Sequence, residues 1–589
     1  MKSATRAVLL LLLAGVLGWA AQQSPANNTD FITENNVAVR MRDGVLLRAD
    51  ILRPRLQGRY AVLVYRTPYG KENALKNYST FRHAVERGYA VAVQDVRGRY
   101  ASEGEFVAYQ HEGRDGYDTI EWAARQPWSN GNVGTFGLSY PGAVQWLAAI
   151  ESPPHLKAMV PAMTFSSPRN FFYSSGVFDM SWMEWIWRNI APDVRGKKNL
   201  PGPRTYEKAA AAWPNVRNKL LWKLPLDSAD EMRGVAPYYY EWLHHAPEDA
   251  WWNWAELRDK YDRVNAAVLN LSGWYDEDYG PEGATTNFAG LAAARKTWPN
   301  WRTHLLIGPW VHGVEETGMT KSGEREFGPA ARIDYDEVVL RWMDYYLRGI
   351  SNGVEREKPV RLFVMGANRW REEDTWPVAE AKLTSFYLAG GASKKHGSLV
   401  PESPAQEQFT VFTSDPAHPV MNSYAGKPGA HDYRELAQRS DVLVFDSEPL
   451  RQDTEVTGAI SAEIYLACDC RDLDLWVRLF DEAPDGTAFN LMSPGNDVLR
   501  ASYRDRHGRQ WLTPSEIYLL KLENMRTSNV FKAGHRIRLQ ISGSFFPDFS
   551  RNLQTGESET TSAQMQSADV RIYHDRQHPS RLVLPVMPR

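Results

Sequence analysis

The sequence predicts an α/β fold, a mostly parallel sheet with helices on both faces, joined to a C-terminal all-β domain. Three observations carry this expectation. Runs that are apolar throughout recur at 60–65 (YAVLVY), 89–93 (YAVAV), 133–136 (VGTF), 158–162 (AMVPA), 267–271 (AVLNL) and 305–307 (LLI), most of them separated by helical stretches such as YDTIEWAARQ and AVQWLAAIES. Strands without polar alternation belong to sheets buried on both faces, and their alternation with helices makes such a sheet parallel. Beyond about Pro359 the pattern changes to strand-like runs with turn residues between them, among them VRLFVMG (360–366), SAEIYLA (461–467), DLWVRLFD (474–481), IRLQISG (537–543) and RLVLPV (581–586). These read as a sandwich or jelly roll. The length, 589 residues, exceeds what a single core supports.

At the N-terminus, MKSATRAVLLLLLAGVLGWAAQQS places Lys2 and Arg6 before an apolar run at 7–17, with Gly18 and Ala20 at the spacing of a cleavage site. The run is too short to span a bilayer. Residues 1–20 are therefore expected to be a signal peptide cut after Ala20, which sends the protein to the periplasm or the extracellular space without stable membrane insertion. Val37, Val39 and Met41 then alternate, Arg42-Asp43-Gly44 turns the chain, and Val45, Leu47, Ala49 and Ile51 alternate again, the pattern of a β-hairpin. The sheet pattern occupies 21–165 and 264–358. Between them, 166–263 contains FFYSSGVFDMSWMEWIW and YYYEWLHHAPEDAWWNW and is read as a helical, aromatic cap over the ligand-binding edge of the sheet. The β domain takes 359–589. Cys468 and Cys470 are the only cysteines; they form no disulfide framework, are too few for a metal site, and are read as plain structural residues on one strand face, with a strained disulfide or a redox pair as the alternative.

Hydrophobic residues at 43%, charged residues at 24% and a net charge of -3 give no reason to expect nucleic acid as a partner. A small molecule is the expected ligand. The 22 Trp and 27 Tyr suit a pocket walled by flat amphipathic side chains.

Chemistry concentrates at TFGLSYPG (135–142). It differs from the G-x-S-x-G nucleophile elbow in that Pro141 stands where the second Gly belongs and Gly142 follows. A strand precedes Ser139 and a helix follows it, so the serine sits at the carboxyl end of a parallel strand, where such folds place their chemistry. Pro141 suits the first turn of a helix but cannot donate to an oxyanion, which leaves the backbone N–H of Tyr140 as the elbow donor. Gly142 removes a side chain where helix and strand approach. A serine nucleophile needs a base and an orienting carboxylate, in the chain order Ser, Asp, His for sheets of this type. Asp276, just past AVLNLSG, and His312, in the loop after HLLI, meet that order. His304 falls at the wrong end of its strand.

The segments LVYRTPYGK (63–71), QDVRGRYASEG (94–104), QPWSNGNVGTFGLSYPG (126–142), SGWYDEDYG (272–280) and IGPWVHG (307–313) resemble the cocaine esterase-like (CocE/NonD) serine hydrolases. That group includes α-amino-acid ester hydrolases, glutaryl cephalosporin acylases and Xaa-Pro dipeptidyl peptidases. In the β region VRLFVMGANRWR (360–371) and FKAGHRIRLQISGSFFPDFSRNLQTG (531–556) resemble the family's C-terminal jelly roll. The resemblance implies an α/β-hydrolase domain with a helical cap insertion and a jelly roll like that of the Xaa-Pro dipeptidyl peptidases. It implies Ser139 as nucleophile, His312 as general base and acid, and Asp276 as the group that orients His312. Tyr69 would add its hydroxyl to the oxyanion hole beside the Tyr140 amide. Asp95, Arg97, Ser102 and Gly104 match a structural, ion-paired turn next to the site, and no metal or organic cofactor is implied.

The substrate expected is a small ester, amide or short peptide, cleaved through an acyl-enzyme. Glu277 and Asp278 follow Asp276 directly, near where the α-amino-acid ester hydrolases carry acids that bind the substrate ammonium. They are candidate substrate-binding residues, with solvated loop acids as the alternative. An Xaa-Pro dipeptidyl peptidase is the rival activity, although those enzymes usually carry an extra N-terminal domain where this chain has its signal peptide and short leader. A ligand-binding protein on an inactive hydrolase scaffold is the non-enzymatic alternative. A homo-oligomer is compatible with the sequence.

Overall fold

The computed structural model of the protein describes residues 31–277, 279–297, 303–390, 396–405, 409–505 and 508–588. The segment read as a signal peptide lies outside the described residues. No helix among the described residues is long and apolar enough to cross a membrane.

The first sheet contains β1 (Phe31–Arg40), β2 (Leu46–Pro54), β3 (Tyr60–Thr67), β4 (Ala90–Asp95), β5 (Ser129–Leu138), β6 (Leu156–Ala162), β7 (Ala267–Gly273), β8 (Thr303–Gly308), β9 (Val360–Val364) and β10 (Arg369–Glu373). Their spatial order is β1-β2-β4-β3-β5-β6-β7-β8-β9-β10. The strands from β4 to β9 in that order pair in parallel, while the β1–β2 hairpin and β10 flank them antiparallel. The apolar runs follow from what covers them. Val62, Val64, Ala90 and Ala92 pack with Ile120, Ala123, Val144 and Leu147 from the helices Glu112–Ala124 and Tyr140–Ala149. Their neighbours Leu63, Tyr65, Val91 and Val93 pack on the other face with Phe81, Val339, Leu340 and Met343, from the helices Thr80–Glu86 and Tyr335–Arg348. Both faces are dry, so both must be apolar.

VRLFVMG, grouped by sequence with the β region, instead extends this first sheet, because Val360–Leu362 pair in parallel with Leu305–Ile307. The first sheet therefore continues as far as Glu373. The insert at 166–263 carries the helices Ser181–Trp185, Ala191–Lys197, Tyr206–Leu221 and Tyr238–His244, a π-helical turn at Ile186–Ile190, and a small ribbon pairing Tyr173–Ser174 with Val177–Phe178.

The C-terminal domain is an all-β jelly-roll-type sandwich. Its longest strands, Thr454–Cys468 and Tyr518–Phe531, pair antiparallel, and alternate residues such as Ile460, Ile464, Leu475, Leu479, Ile537 and Leu539 fill its core. The plain structural reading of Cys468 and Cys470 gives way to the alternative, a disulfide. The strand ends at Cys468, a bend follows, and Cys470 folds back to a Cα–Cα separation of 5.2 Å, where the two form a disulfide. Main-chain bonds join the insert to this domain: Met180 N–H donates to Asp548 C=O (2.7 Å), Leu226 N–H to Glu559 C=O (2.9 Å) and Asp227 N–H to Thr560 C=O (3.1 Å).

Candidate active site

Ser139 follows β5 directly and precedes the helix Tyr140–Ala149, with φ 69° and ψ -127°. That backbone is costly for a residue with a Cβ and persists only where its surroundings impose it. Here they do. Ser139 N–H donates to Ala162 C=O at the end of β6 (3.0 Å), and Ser139 C=O accepts from the Gly142 (2.8 Å) and Ala143 (2.9 Å) amides. A Cβ on Gly142 would stand 2.5 Å from Ala162 O, which accounts for the glycine one position late. Pro141 occupies the first helical turn. The Tyr140 amide, at the first helical residue, has no intrahelical acceptor. The Tyr140 side chain is committed elsewhere: its hydroxyl donates to Glu112 (2.8 Å) and accepts from Tyr109 N–H (2.9 Å). Beneath it Glu112 pairs with Arg66 at 2.9 Å; burial pushes the Glu112 carboxyl up and Arg66 opposes the shift.

Asp276 lies beyond the end of β7 and is fully buried. One carboxylate oxygen accepts from His312 Nδ1 at 2.5 Å and the other from Ser272 Oγ at 2.8 Å. Space for the carboxylate depends on Gly280, where a Cβ would stand 1.7 Å from Asp276 Oδ2. His312, in the loop after β8, has its pKa raised. Burial alone would push the imidazole down, and the charge and hydrogen bond of Asp276, with a smaller contribution from Glu277, outweigh it. With Nδ1–H held by a carboxylate, Nε2 is left to accept a proton. His304 lies in β8, at the other end of that strand from the His312 loop, and burial pushes it down to about 4.

Tyr69 follows β3 with its backbone fixed on both sides, N–H to Thr67 Oγ1 (3.1 Å) and C=O from Asn73 Nδ2 (3.0 Å). Its hydroxyl accepts from the Trp185 indole N–H at 3.0 Å. Burial pushes the phenol up to about 12, with the Trp185 and Ser139 side chains acting in the opposite direction, so at neutral pH it is a neutral donor. The neighbouring turn is ion-paired: Arg97 bridges Asp115 (2.7 Å) and Asp43 (2.8 Å), Ser102 Oγ donates to Asp95 C=O (2.7 Å), and Asp95 accepts the Lys71 amide (2.7 Å).

Ser139 and His312 line one cavity of about 490 Å³, walled by the cap residues Trp182 and Trp185 and by Asn422, Tyr433 and Asp548 of the β domain. Four carboxylates line it as well: Asp179, Glu184, Glu277 and Asp548. Glu277 was expected from the sequence; Asp278 lies outside the described residues. Asp179 and Asp548 were not singled out, although they stand in FDMSW and in the quoted FFPDFS, because nothing local to either run signals that the two meet. Burial raises the pKa of Asp179, Glu277 and Asp548, with repulsion among these acids adding to it. Glu184 is bonded to Arg188 (2.6 Å), and Asp548 accepts from Asn422 (2.6 Å) with Arg217 at 3.7 Å. Among the described residues, Asp179 has no ion-pair partner, and the cation acting on Glu277 is His312.

The X-Pro dipeptidyl-peptidase (S15 family) model matches residues 43–314, and the X-Pro dipeptidyl-peptidase C-terminal non-catalytic domain matches 352–583. The chain is 32% identical to the cocaine esterase of Rhodococcus sp. (strain MB1 Bresler) over 95% of its own length and 99% of that protein. Two solved structures have the same fold along nearly the whole chain. An aminopeptidase from a marine sediment Thaumarchaeota archaeon superimposes with a TM-score of 0.78 at 22% identity, covering 98% of this chain and 100% of that one. An α-amino acid ester hydrolase gives 0.74 at 24% identity, covering 97% and 100%.

Proposed function

The chain belongs to the cocaine esterase-like (CocE/NonD) serine hydrolases, and from that premise we propose that it cleaves esters or amides of cationic acyl groups, α-amino acids above all, through an acyl-enzyme on Ser139. The observation that carries the mechanism is the strained Ser139 elbow opening into one cavity with an imidazole already bonded to a buried carboxylate. Ser139 Oγ attacks the acyl carbon as His312 Nε2 takes its proton, and Asp276 stabilises the imidazolium. The carbonyl oxygen, now negative, is met by the Tyr140 amide and the Tyr69 hydroxyl, each such donor contributing about 3 kcal/mol to the barrier reduction. His312 then protonates the departing alcohol or amine. Water, deprotonated by the same imidazole, releases the acid.

The cavity acids support the choice of acyl group. Carboxylates whose pKa is raised by burial carry a desolvation cost that a substrate ammonium would offset. A neutral aryl acid gains nothing from them. The leader at 1–20 supports export, with the mature protein working in the periplasm or outside the cell.

Xaa-Pro dipeptidyl peptidase activity is the second reading, favoured by the family model over 43–314; a peptide N-terminus is also a cation. The test is a substrate panel of p-nitrophenyl acetate, phenylglycine methyl ester, glutaryl-p-nitroanilide and Gly-Pro-p-nitroanilide. We expect the highest kcat/KM on the phenylglycine ester. Preference for Gly-Pro-p-nitroanilide would replace the amino-ester reading with the peptidase one, and no turnover on any member would leave the inactive-scaffold alternative.

A further inference from the structure

We propose that Trp185, a residue of the cap, is a positioning residue for the oxyanion hole: its indole N–H holds the Tyr69 hydroxyl so that the single phenolic hydrogen is aimed at the reacting oxygen. The inference rests on the reading of Ser139 as nucleophile and Tyr69 as oxyanion donor.

A tyrosine hydroxyl has one hydrogen to give and rotates to suit its surroundings. The bond from Trp185 Nε1 at 3.0 Å fills an acceptor position on that oxygen and turns the hydrogen away from the indole. The Ser139 side chain is near enough to act on the same phenol, and it lines the cavity that holds the reacting oxygen. A hydroxyl that accepts a bond is also a stronger donor. Without the indole N–H, the Tyr69 hydrogen would be free to rotate, and part of the donor's orientation would have to be achieved during the reaction.

The indole is itself held. Its plane runs parallel to the rings of Tyr140 (centroids 6.2 Å apart, 7°) and Tyr109 (6.4 Å, 19°), and Trp182 meets it edge-on at 5.5 Å. Trp185 ends a short helix, and the next five residues, Ile186–Ile190, form a π-helical turn, a rare geometry frequent at functional sites. The far end of that turn is bolted to the Tyr69 loop by one side chain. The fully buried Arg99 donates from Nη1 to Ile190 C=O (2.9 Å), from Nη2 to Asn189 C=O (2.9 Å) and from Nε to Pro68 C=O (2.8 Å). Pro68 immediately precedes Tyr69. A single guanidinium thus sets the distance between the segment that carries the indole donor and the segment that carries its acceptor.

The experiment replaces Trp185 with β-(3-benzothienyl)alanine by genetic code expansion, which keeps the bicyclic shape and removes the N–H; Trp185→Phe is the coarser second variant. Both are combined with Tyr69→Phe in a double-mutant cycle on p-nitrophenyl acetate, with near-UV circular dichroism as the fold control. Loss of one neutral hydrogen bond, about 0.5–1.5 kcal/mol, gives an expected fall in kcat of about 2- to 13-fold with KM within about twofold. In the Tyr69→Phe background the same substitution should change nothing further. A factor that persists undiminished in that background, or an effect confined to KM, overturns the proposal while leaving the oxyanion assignment intact. A Tyr69→Phe enzyme at the wild-type rate would instead remove the assignment on which the proposal rests.

Discussion

Gly280→Ala should inactivate the enzyme by adding one methyl group to a residue with no part in the chemistry. The added carbon would stand 1.7 Å from Asp276 Oδ2, 2.3 Å from its Cγ and 2.9 Å from Ser272 Oγ. Non-bonded carbon contacts relax at about 3.5 Å, so the carboxylate must retreat by well over one ångström. Neither its 2.5 Å bond to His312 nor its 2.8 Å bond to Ser272 survives such a shift. His312 then loses both the group that orients it and the charge that raises its pKa. Disabling the equivalent aspartate in serine proteases costs about 10⁴ in kcat, and we expect a loss of that order here. Overpacking costs stability of about 1–3 kcal/mol, which leaves a folded protein to assay. The assay is kcat/KM on p-nitrophenyl acetate beside the urea unfolding midpoint. In an exposed helix the same substitution would stabilise by about 1 kcal/mol, so a variant with wild-type activity and a raised midpoint would refute the packing argument and the role given to Asp276.

The pKa of His312 is raised, with Asp276 the main raising influence, and the imidazole must be neutral to act as a base, so kcat/KM falls as pH drops through that pKa. Asp276→Asn removes the raising influence; the residual activity should be much lower and its acid limb displaced to lower pH, and an unmoved limb would contradict the assignment. Glu277→Gln and Asp179→Asn should each raise KM for phenylglycine methyl ester about tenfold, a modest share of the roughly 4 kcal/mol two charges exchange at 4 Å near a protein surface. Turnover of p-nitrophenyl acetate should hold steady, and equal losses on both esters would count against ammonium binding. Because burial raises the pKa of both acids, acidification should weaken amino-ester binding while leaving the neutral ester's KM unchanged, as steady-state KM against pH will report. Gly142→Ala, with its Cβ 2.5 Å from Ala162 O, should lower the urea midpoint by the equivalent of about 1–3 kcal/mol; an unchanged midpoint would show that β6 yields easily.

The parallel sheet was legible because burial on both faces leaves an unbroken apolar run in each strand, and the elbow was legible because Pro141 and Gly142 each fit one steric demand. VRLFVMG misled for the same reason: an apolar strand carries no mark of which sheet it joins, and its partner β8 is chosen by tertiary packing. Cys-x-Cys spacing is equally compatible with one extended strand and with the bend that brings Cys470 back to Cys468. Asp276 and His312, which the structure bonds to each other, were singled out through their positions after strand ends, a local property. Asp179 and Asp548 come from the cap and the β domain, and the Trp185–Tyr69 bond spans 116 residues; such encounters exist only once three regions of chain close around one cavity.

In the proposed mechanism Ser139 Oγ is the attacking atom. Labelling the purified protein with a fluorophosphonate and mapping the modified peptide by mass spectrometry tests this directly. One adduct per chain, on Ser139, is predicted, with both the adduct and ester hydrolysis abolished in a folded Ser139→Ala variant. An adduct on another residue, or undiminished hydrolysis in that variant, would contradict it.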